Sequence, residues 1–265
     1  MSIIALSAWD LGLAGVLVMV LAGLNARLGL GQARALVVAA VRTTVQLLLI
    51  GLVLKTLFAV GEWYWVLLLA VFMLAVAGRE VMARQKRRFA GVWGYGLGTV
   101  SMLISSFSVT VLTLTVLVGP TPWYLPQYAI PLLGMLLGNT MTGVSLGLDR
   151  LTDAAWQQRA VIEGRLMLGQ SWNEAVSSVR REAARSGLTP MINAMAAAGV
   201  VSLPGMMTGQ ILAGTPPVEA VKYQILIMLL IAVGTGFGTL LAVWVGTRRL
   251  FDERERLRLD RLHTK

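Results

Sequence analysis

Long apolar runs broken by short polar, Gly- or Arg-containing breaks dominate the chain. Stretches of about 17–25 apolar residues cross a bilayer as helix. Seven are read, at 5–24, 35–54, 63–78, 97–118, 126–146, 189–212 and 222–246. The third opens on Trp63-Tyr64-Trp65, an aromatic cluster of the kind that anchors at a membrane interface. Runs such as Leu226-Ile227-Met228-Leu229-Leu230-Ile231 are apolar on every side. They lack the two-residue alternation of barrel strands. In lipid they must be helices, because each backbone group has to be bonded within its own segment. The expectation is an all-α polytopic membrane protein with about seven transmembrane helices.

Composition agrees. Charged residues are 14% and hydrophobic residues 56% of 265, against about 25% charged in soluble domains. That excludes a disordered chain and a soluble single-core enzyme. There is no Cys, and the one His is His263, so thiolate or His-based metal clusters within the membrane are excluded.

The net charge of +10 is distributed by loop. Twenty of the 23 Lys and Arg lie in 25–34, 79–91, 147–188 and the tail from 247. The alternate loops hold almost none, which places the N-terminus outside and the C-terminus in the cytoplasm. An odd number of spans gives the same answer. The basic residues form no stripe with a nucleic-acid-binding motif, so no nucleic-acid partner is expected. No Lys precedes the first apolar run, so no cleavable signal peptide is read. One membrane domain, 1–265, is expected, with a cytoplasmic segment at 147–188 and a basic tail at 247–265.

The segment 147–188 has its own local code. Ser171 and Glu174 form a capping-box pattern. The helix that follows, 172–186, places Val176, Val179 and Ala183 on one face, and Gly187 reads as its stop. Such amphipathic helices are a docking surface or a plain linker. None of the four lysines follows Gly, so there is no P-loop. Any ATP and Mg would sit on another chain, with no cofactor bound directly.

Within the spans, Arg42 and Gln46 share a helix face. Arg42 is either a functional group or a side chain that snorkels to the interface. Ser101, Ser105, Ser108 and Thr115 fall on one face of the fourth span, as a polar path or as small residues for close packing. Met-Thr-Gly-x-x-Leu occurs twice, from Met141-Thr142-Gly143 and from Met207-Thr208-Gly209. Pro204 and Gly205 interrupt the sixth span, and broken helices expose backbone near the midplane, where transporters bind substrate.

The stretch from Gly199 to Gly214, with Ser202-Leu203-Pro204-Gly205-Met206-Met207-Thr208-Gly209-Gln210, followed by Pro217 and Ala220-Val221-Lys222-Tyr223-Gln224, carries a resemblance. It resembles the signature of the FetB-type (YbbM-type) permeases, which also include plant aluminium-tolerance membrane proteins. Arg42 with Gln46 and Gly51, Gly138-Asn139 before Met141, and Leu168-Gly169 agree. The resemblance implies a bacterial inner-membrane permease subunit of an ABC transporter linked to iron export and oxidative-stress resistance. It implies a homodimer of permeases and a separate cytoplasmic ATP-binding subunit. The transport path it implies passes Arg42, Gln46, Asn139, Met141, Thr142, Met206, Met207, Thr208 and Gln210. The ATPase-coupling residues it implies are Glu163, Leu168, Gly169, Glu174 and Ala175. The span residues themselves show no iron site: they offer amides, hydroxyls and thioethers, which leaves a chelated or organic substrate such as a nucleotide sugar open. A lone secondary transporter or a membrane scaffold is the alternative from another class.

Overall fold

The computed structural model describes residues 7–264. Residues 5 and 6 of the first expected span, and residue 265 of the tail, lie outside the described residues. The long helices are α1 (Ala8–Arg27), α2 (Ala33–Val60), α3 (Trp63–Arg84), α4 (Val92–Val118) and α5 (Pro126–Gln157). Then come the short α6 (Arg159–Met167) and α7 (Trp172–Ala175), α8 (Ser177–Ala197), α9 (Gly205–Leu212) and α10 (Pro217–Arg249). Two three-residue strands, β1 (Arg87–Phe89) and β2 (Leu262–Thr264), pair antiparallel, with Arg88 opposite His263. The all-helical reading stands, with this one small ribbon added.

Among the described residues, six helices are long and apolar enough to cross a membrane: α1 to α5 and α10. The expected sixth span, 189–212, is not one helix. Its first half belongs to α8, and its second is the separate α9 after a break at 198–204. The expected stop at Gly187 is overturned as well, since α8 runs through Gly187 and Pro190 to Ala197. The reason is packing. A Cβ on Gly187 would lie 2.5 Å from the Gly143 carbonyl oxygen and 2.5 Å from Thr239 Cγ2. This glycine lets helices touch instead of ending one. Likewise α5 continues eleven residues past its expected end at 146. Much of the expected 147–188 loop is therefore helix, and Arg150 of α5 pairs with Glu182 of α8.

The chain divides into two units. The first contains α1 and α2, which pack on each other and leave most of their apolar surface exposed. Such surface, on an apolar segment, is what lipid covers. The second contains α3 to α8, nearly all of α9, α10 and the C-terminal segment. Its core is built on small residues. Gly98 of α4 meets Val81 of α3, Gly238 of α10 meets Thr140 of α5 and Ser105 of α4, and Gly147 of α5 meets Val243 of α10. Matching positions rise together on α5 and α10, so these helices run parallel. They fall on α8 as they rise on α5 (Gly187 beside Gly143, Ala183 beside Gly147), so α8 runs back along both.

The C-terminal segment is folded. Ala90 N–H donates to the Arg261 carbonyl at 2.8 Å, and the Trp172 and Phe251 rings pack at 5.8 Å. Trp172 N–H donates to the Glu255 carboxylate at 2.9 Å. The expected basic tail is folded as a cap that joins the α3–α4 turn to the α7 segment.

Candidate functional site

The break after α8 carries the residues of the long motif. Ala198 is extended, Gly199 takes a φ of 84°, and Val201 and Ser202 N–H both donate to the Ala197 carbonyl. The turn thereby satisfies helix-end groups that would otherwise be orphaned. Gly199 fits because a side chain at that φ is strained.

In α9, Met206 and Gln210 are one turn apart and face a cavity of about 390 Å³. Opposite them stand Thr113, Tyr128, Met135 and Tyr223. The Gln210 Oε1 is buried without a hydrogen-bond partner. Such an atom is costly unless something else completes it. Met207 turns the other way, into a second cavity of about 470 Å³ with Met195, Met228 and Gln224. The Gln224 Oε1 is equally unpartnered. The structure therefore separates two methionines that the sequence placed together. Both cavities offer thioethers, amide oxygens and, in the first, phenols and hydroxyls. These are neutral donors. Among the described residues, no group of three or more His, Asp or Glu is placed to hold a metal ion.

The other expected path residues sit elsewhere. Asn139 Nδ2 donates to the Met135 carbonyl at 2.8 Å, and Thr142 Oγ1 to the Gly138 carbonyl at 3.1 Å. Met141 packs on the core, and Thr208 Oγ1 donates to the Pro204 carbonyl at 3.3 Å. Arg42 and Gln46 lie one turn apart on α2, exposed, in the first unit. The two Met-Thr-Gly copies occupy unlike settings. A Cβ on Gly143 would meet Thr239 at 2.6 Å, whereas Gly209 has nothing within 4 Å.

The polar face of α4 also differs from the expected one. Ser101, Ser105, Ser106, Thr110 and Thr113 are buried, while Ser108 and Thr115 are exposed. Two π-helical turns, Leu103–Phe107 and Thr113–Val118, change the register. A π turn holds more residues than an α turn, so a face projected at α spacing drifts off. Ser106 Oγ donates across to Thr140 Oγ1 at 3.2 Å. Thr235 and Thr239 of α10, in the same small-residue layer, have buried hydroxyls without partners. Tyr128, Tyr223 and Gln224 were not read as site residues. Tyr223 and Gln224 belong to the quoted motif, so its second part was the available signal.

At the opposite end of α8 stands a helical elbow, α6–α7. Met167 and Leu168 at its tip are 82% and 84% exposed. Gly169 takes a φ of 86°, which reverses the chain. The expected capping box is formed: Ser171 N–H donates to the Glu174 carboxylate at 3.0 Å, and Glu174 N–H donates back to Ser171 Oγ at 3.4 Å. Those bonds from Ser171 hold the Glu174 carboxyl below its ordinary 4.5. Glu174 thus shapes the elbow, while Glu163 is exposed on α6. Beneath the tip, Ile162, Ala175, Val176 and Val179 are buried. Arg165 Nη1 donates to the Ala175 carbonyl at 3.2 Å, tying α6 to the end of α7. Val176, Val179 and Ala183 face inward, as their spacing predicts.

Comparison with known proteins places the chain in a family. Residues 8–251 match the family described as Uncharacterised protein family (UPF0014). A UPF0014 membrane protein of Synechocystis sp. is 38% identical over 94% of each chain. The "Probable iron export permease protein FetB" of Escherichia coli is 31% identical over 84% of each chain. The Arabidopsis thaliana "Protein ALUMINUM SENSITIVE 3" is 34% identical over 71% of this chain and 66% of its own. The resemblance drawn from the long motif is borne out at the level of the family. No solved structure matches the chain.

Proposed function

The chain belongs to the UPF0014 family of multi-pass membrane proteins, and from that premise we propose that it is the permease subunit of an ABC transporter that exports iron. ATP and Mg bind a separate cytoplasmic subunit, and two copies of the chain form the membrane part. The observation that carries this reading is mechanical. A single helix, α8, begins at the exposed elbow and ends at the broken segment beside the two cavities. Its 21 residues make a rod of about 30 Å. A push on Met167 and Leu168 would reach the break with little loss, because Gly187 and Ala183 seat the rod closely on α5. Break and rod together also carry the chain from one end of the second unit to the other. Counting them as a seventh crossing supports the orientation drawn from charge, with the N-terminus outside and the elbow and C-terminus in the cytoplasm of a bacterial inner membrane.

In the proposed cycle, ATP binding closes the partner subunits against the elbow. The rod shifts the break, and the cavity lined by Met206 and Gln210 changes its exposure. Iron as cargo is supported by the name of the Escherichia coli relative. The neutral donors of the cavity favour a second reading of the same permease, with a chelated or organic substrate in place of a bare ion. The test is to co-express the chain with a candidate ATP-binding subunit and reconstitute the pair in proteoliposomes. The expected result is a stable complex whose ATP hydrolysis rises with iron(II). Absence of any complex overturns the ABC reading. A complex that responds to an iron chelate or an organic substrate but ignores iron(II) selects the second reading.

A further inference from the structure

A second recognition site lies where α10 ends, α4 begins and the C-terminal segment folds back. A cavity of about 680 Å³ there is lined by five arginines, Arg248, Arg249, Arg254, Arg256 and Arg261, against Asp252 and Glu253. Asp252 is already engaged: Arg256 holds it at 2.8 Å, and Arg258 stands at 4.0 Å. The backbone N–H of Arg256, its guanidinium and the Arg254 N–H all bond the Asp252 carboxyl, which keeps it below its ordinary range. The remaining guanidinium groups have no carboxylate partner within 4.0 Å among the described residues. Arg249 lies over the Trp93 ring at 4.7 Å, and Arg248 over the Trp172 ring at 5.4 Å. Arg261 Nη1 donates to the Arg249 carbonyl at 2.7 Å. Five guanidinium groups against two carboxylates, one of them already engaged, leave an excess of cations suited to an anion with several oxygens.

An apolar groove of about 410 Å³ between α4 and α10 adjoins this cavity, and Trp93 and Val245 line both. Gly96, Val100, Ile104 and Leu241 form its walls. Val92 to Ile104 spans about 18 Å of helix, slightly more than the ~15 Å depth of one leaflet's hydrocarbon. Gly96 keeps the floor open, since a Cβ there would meet only Val92, at 4.0 Å. Trp93 and Trp244, both exposed, lie where the polar and apolar parts meet, the usual position of interfacial tryptophan.

We propose that this joined pocket and groove is a binding site for an anionic phospholipid, with the phosphate among Arg249, Arg254 and Arg261 and one acyl chain along α4 and α10. A basic loop placed only to orient the chain needs cations but no groove. A soluble phosphate or nucleotide would fill the pocket and leave the groove unexplained. The leaflet concerned, the cytoplasmic one, rests on the orientation proposed above; the binding itself does not, and it is measurable without any partner subunit.

The test uses the full chain purified in detergent and stripped of lipid, titrated with dioleoyl phosphatidylglycerol or dioleoyl phosphatidylcholine and read by native mass spectrometry for the first lipid bound. Phosphatidylglycerol is expected to bind about tenfold more tightly, since each arginine near an anionic head contributes several-fold. Arg249→Gln with Arg254→Gln should reduce it to the phosphatidylcholine level. Arg254→Gln alone, at an exposed side chain, should give part of that loss and guards against misfolding of the double variant. Gly96→Leu should weaken both lipids by filling the groove. Equal affinity for the two lipids overturns the proposal. Displacement of phosphatidylglycerol by millimolar glycerol phosphate, with Gly96→Leu silent, also overturns it and marks a soluble-anion site instead.

Discussion

Replacing Gly187 by Ala tests the seating of α8 with one methyl group. That methyl would lie 2.5 Å from the Gly143 carbonyl oxygen and 2.5 Å from Thr239 Cγ2, where ordinary contact starts at 3.4 Å. Neither neighbour yields easily. One is helix backbone, and the other belongs to a fully buried threonine. The helices must part by about 1 Å, and overpacking of that kind costs about 1–3 kcal/mol. Alanine returns about 0.5–1 kcal/mol of helix preference over glycine. The expected net loss is about 1 kcal/mol, from the middle of those two ranges, read by SDS-induced unfolding in mixed micelles. Gly138→Ala and Gly236→Ala are the controls, because a Cβ at either meets nothing within 4 Å. They should be neutral or slightly stabilising. Adding Thr239→Ser, which removes the obstructing methyl, should recover part of the loss. A Gly187→Ala protein as stable as its controls, or no recovery with Thr239→Ser, would refute the close seating and with it the rod.

Other consequences are as direct. Leu168→Asp with Met167→Asp should weaken association with the ATP-binding subunit by about 10–100-fold, the worth of burying one large apolar side chain, while the melting temperature of the exposed elbow's parent protein stays put; unchanged co-purification would remove the docking role. Met206→Ala and Gln210→Leu should lower transport with normal assembly, whereas Met207→Ala should act on stability, because Met207 is buried in the other cavity; equal phenotypes would contradict the split. For Glu174, bonds from Ser171 hold the folded carboxyl below 4.5, so its support of the elbow is full above that value and is lost as pH falls through the folded pKa. Hydrogen-exchange protection at residues 171–176, taken relative to the intrinsic rate at each pH, should therefore fall in acid in the native chain but show no such step in Glu174→Gln; the same step in both would place the titration elsewhere.

Much of this was legible in the sequence because lipid imposes a simple rule. Long apolar runs gave α1 to α5 and α10, and Ser171 with Glu174 gave the cap of α7. The misreadings share a cause: they concern glycine and register. Gly187 looks like a stop in one dimension, yet in space it is the contact between α8 and α5. The serine face of α4 was projected at α-helical spacing, and two π turns moved it. The tail was read only as a run of basic charge, and that charge hides Phe251 and Leu262, which are buried in the fold. The cavity at Met206 and Gln210 could be anticipated only on its α9 side. Tyr128 and Met135 arrive from a helix far away in sequence, and no local pattern announces them.

The central claim is ATP-driven movement of iron through this chain, and vesicle flux addresses it most directly. Inside-out proteoliposomes holding the chain and its ATP-binding subunit would be loaded with an iron(II) indicator. The account predicts ATP-dependent iron accumulation that Gln210→Leu abolishes while the complex stays intact. Accumulation that is independent of ATP, or that is unaffected by Gln210→Leu together with Met206→Ala, would contradict it.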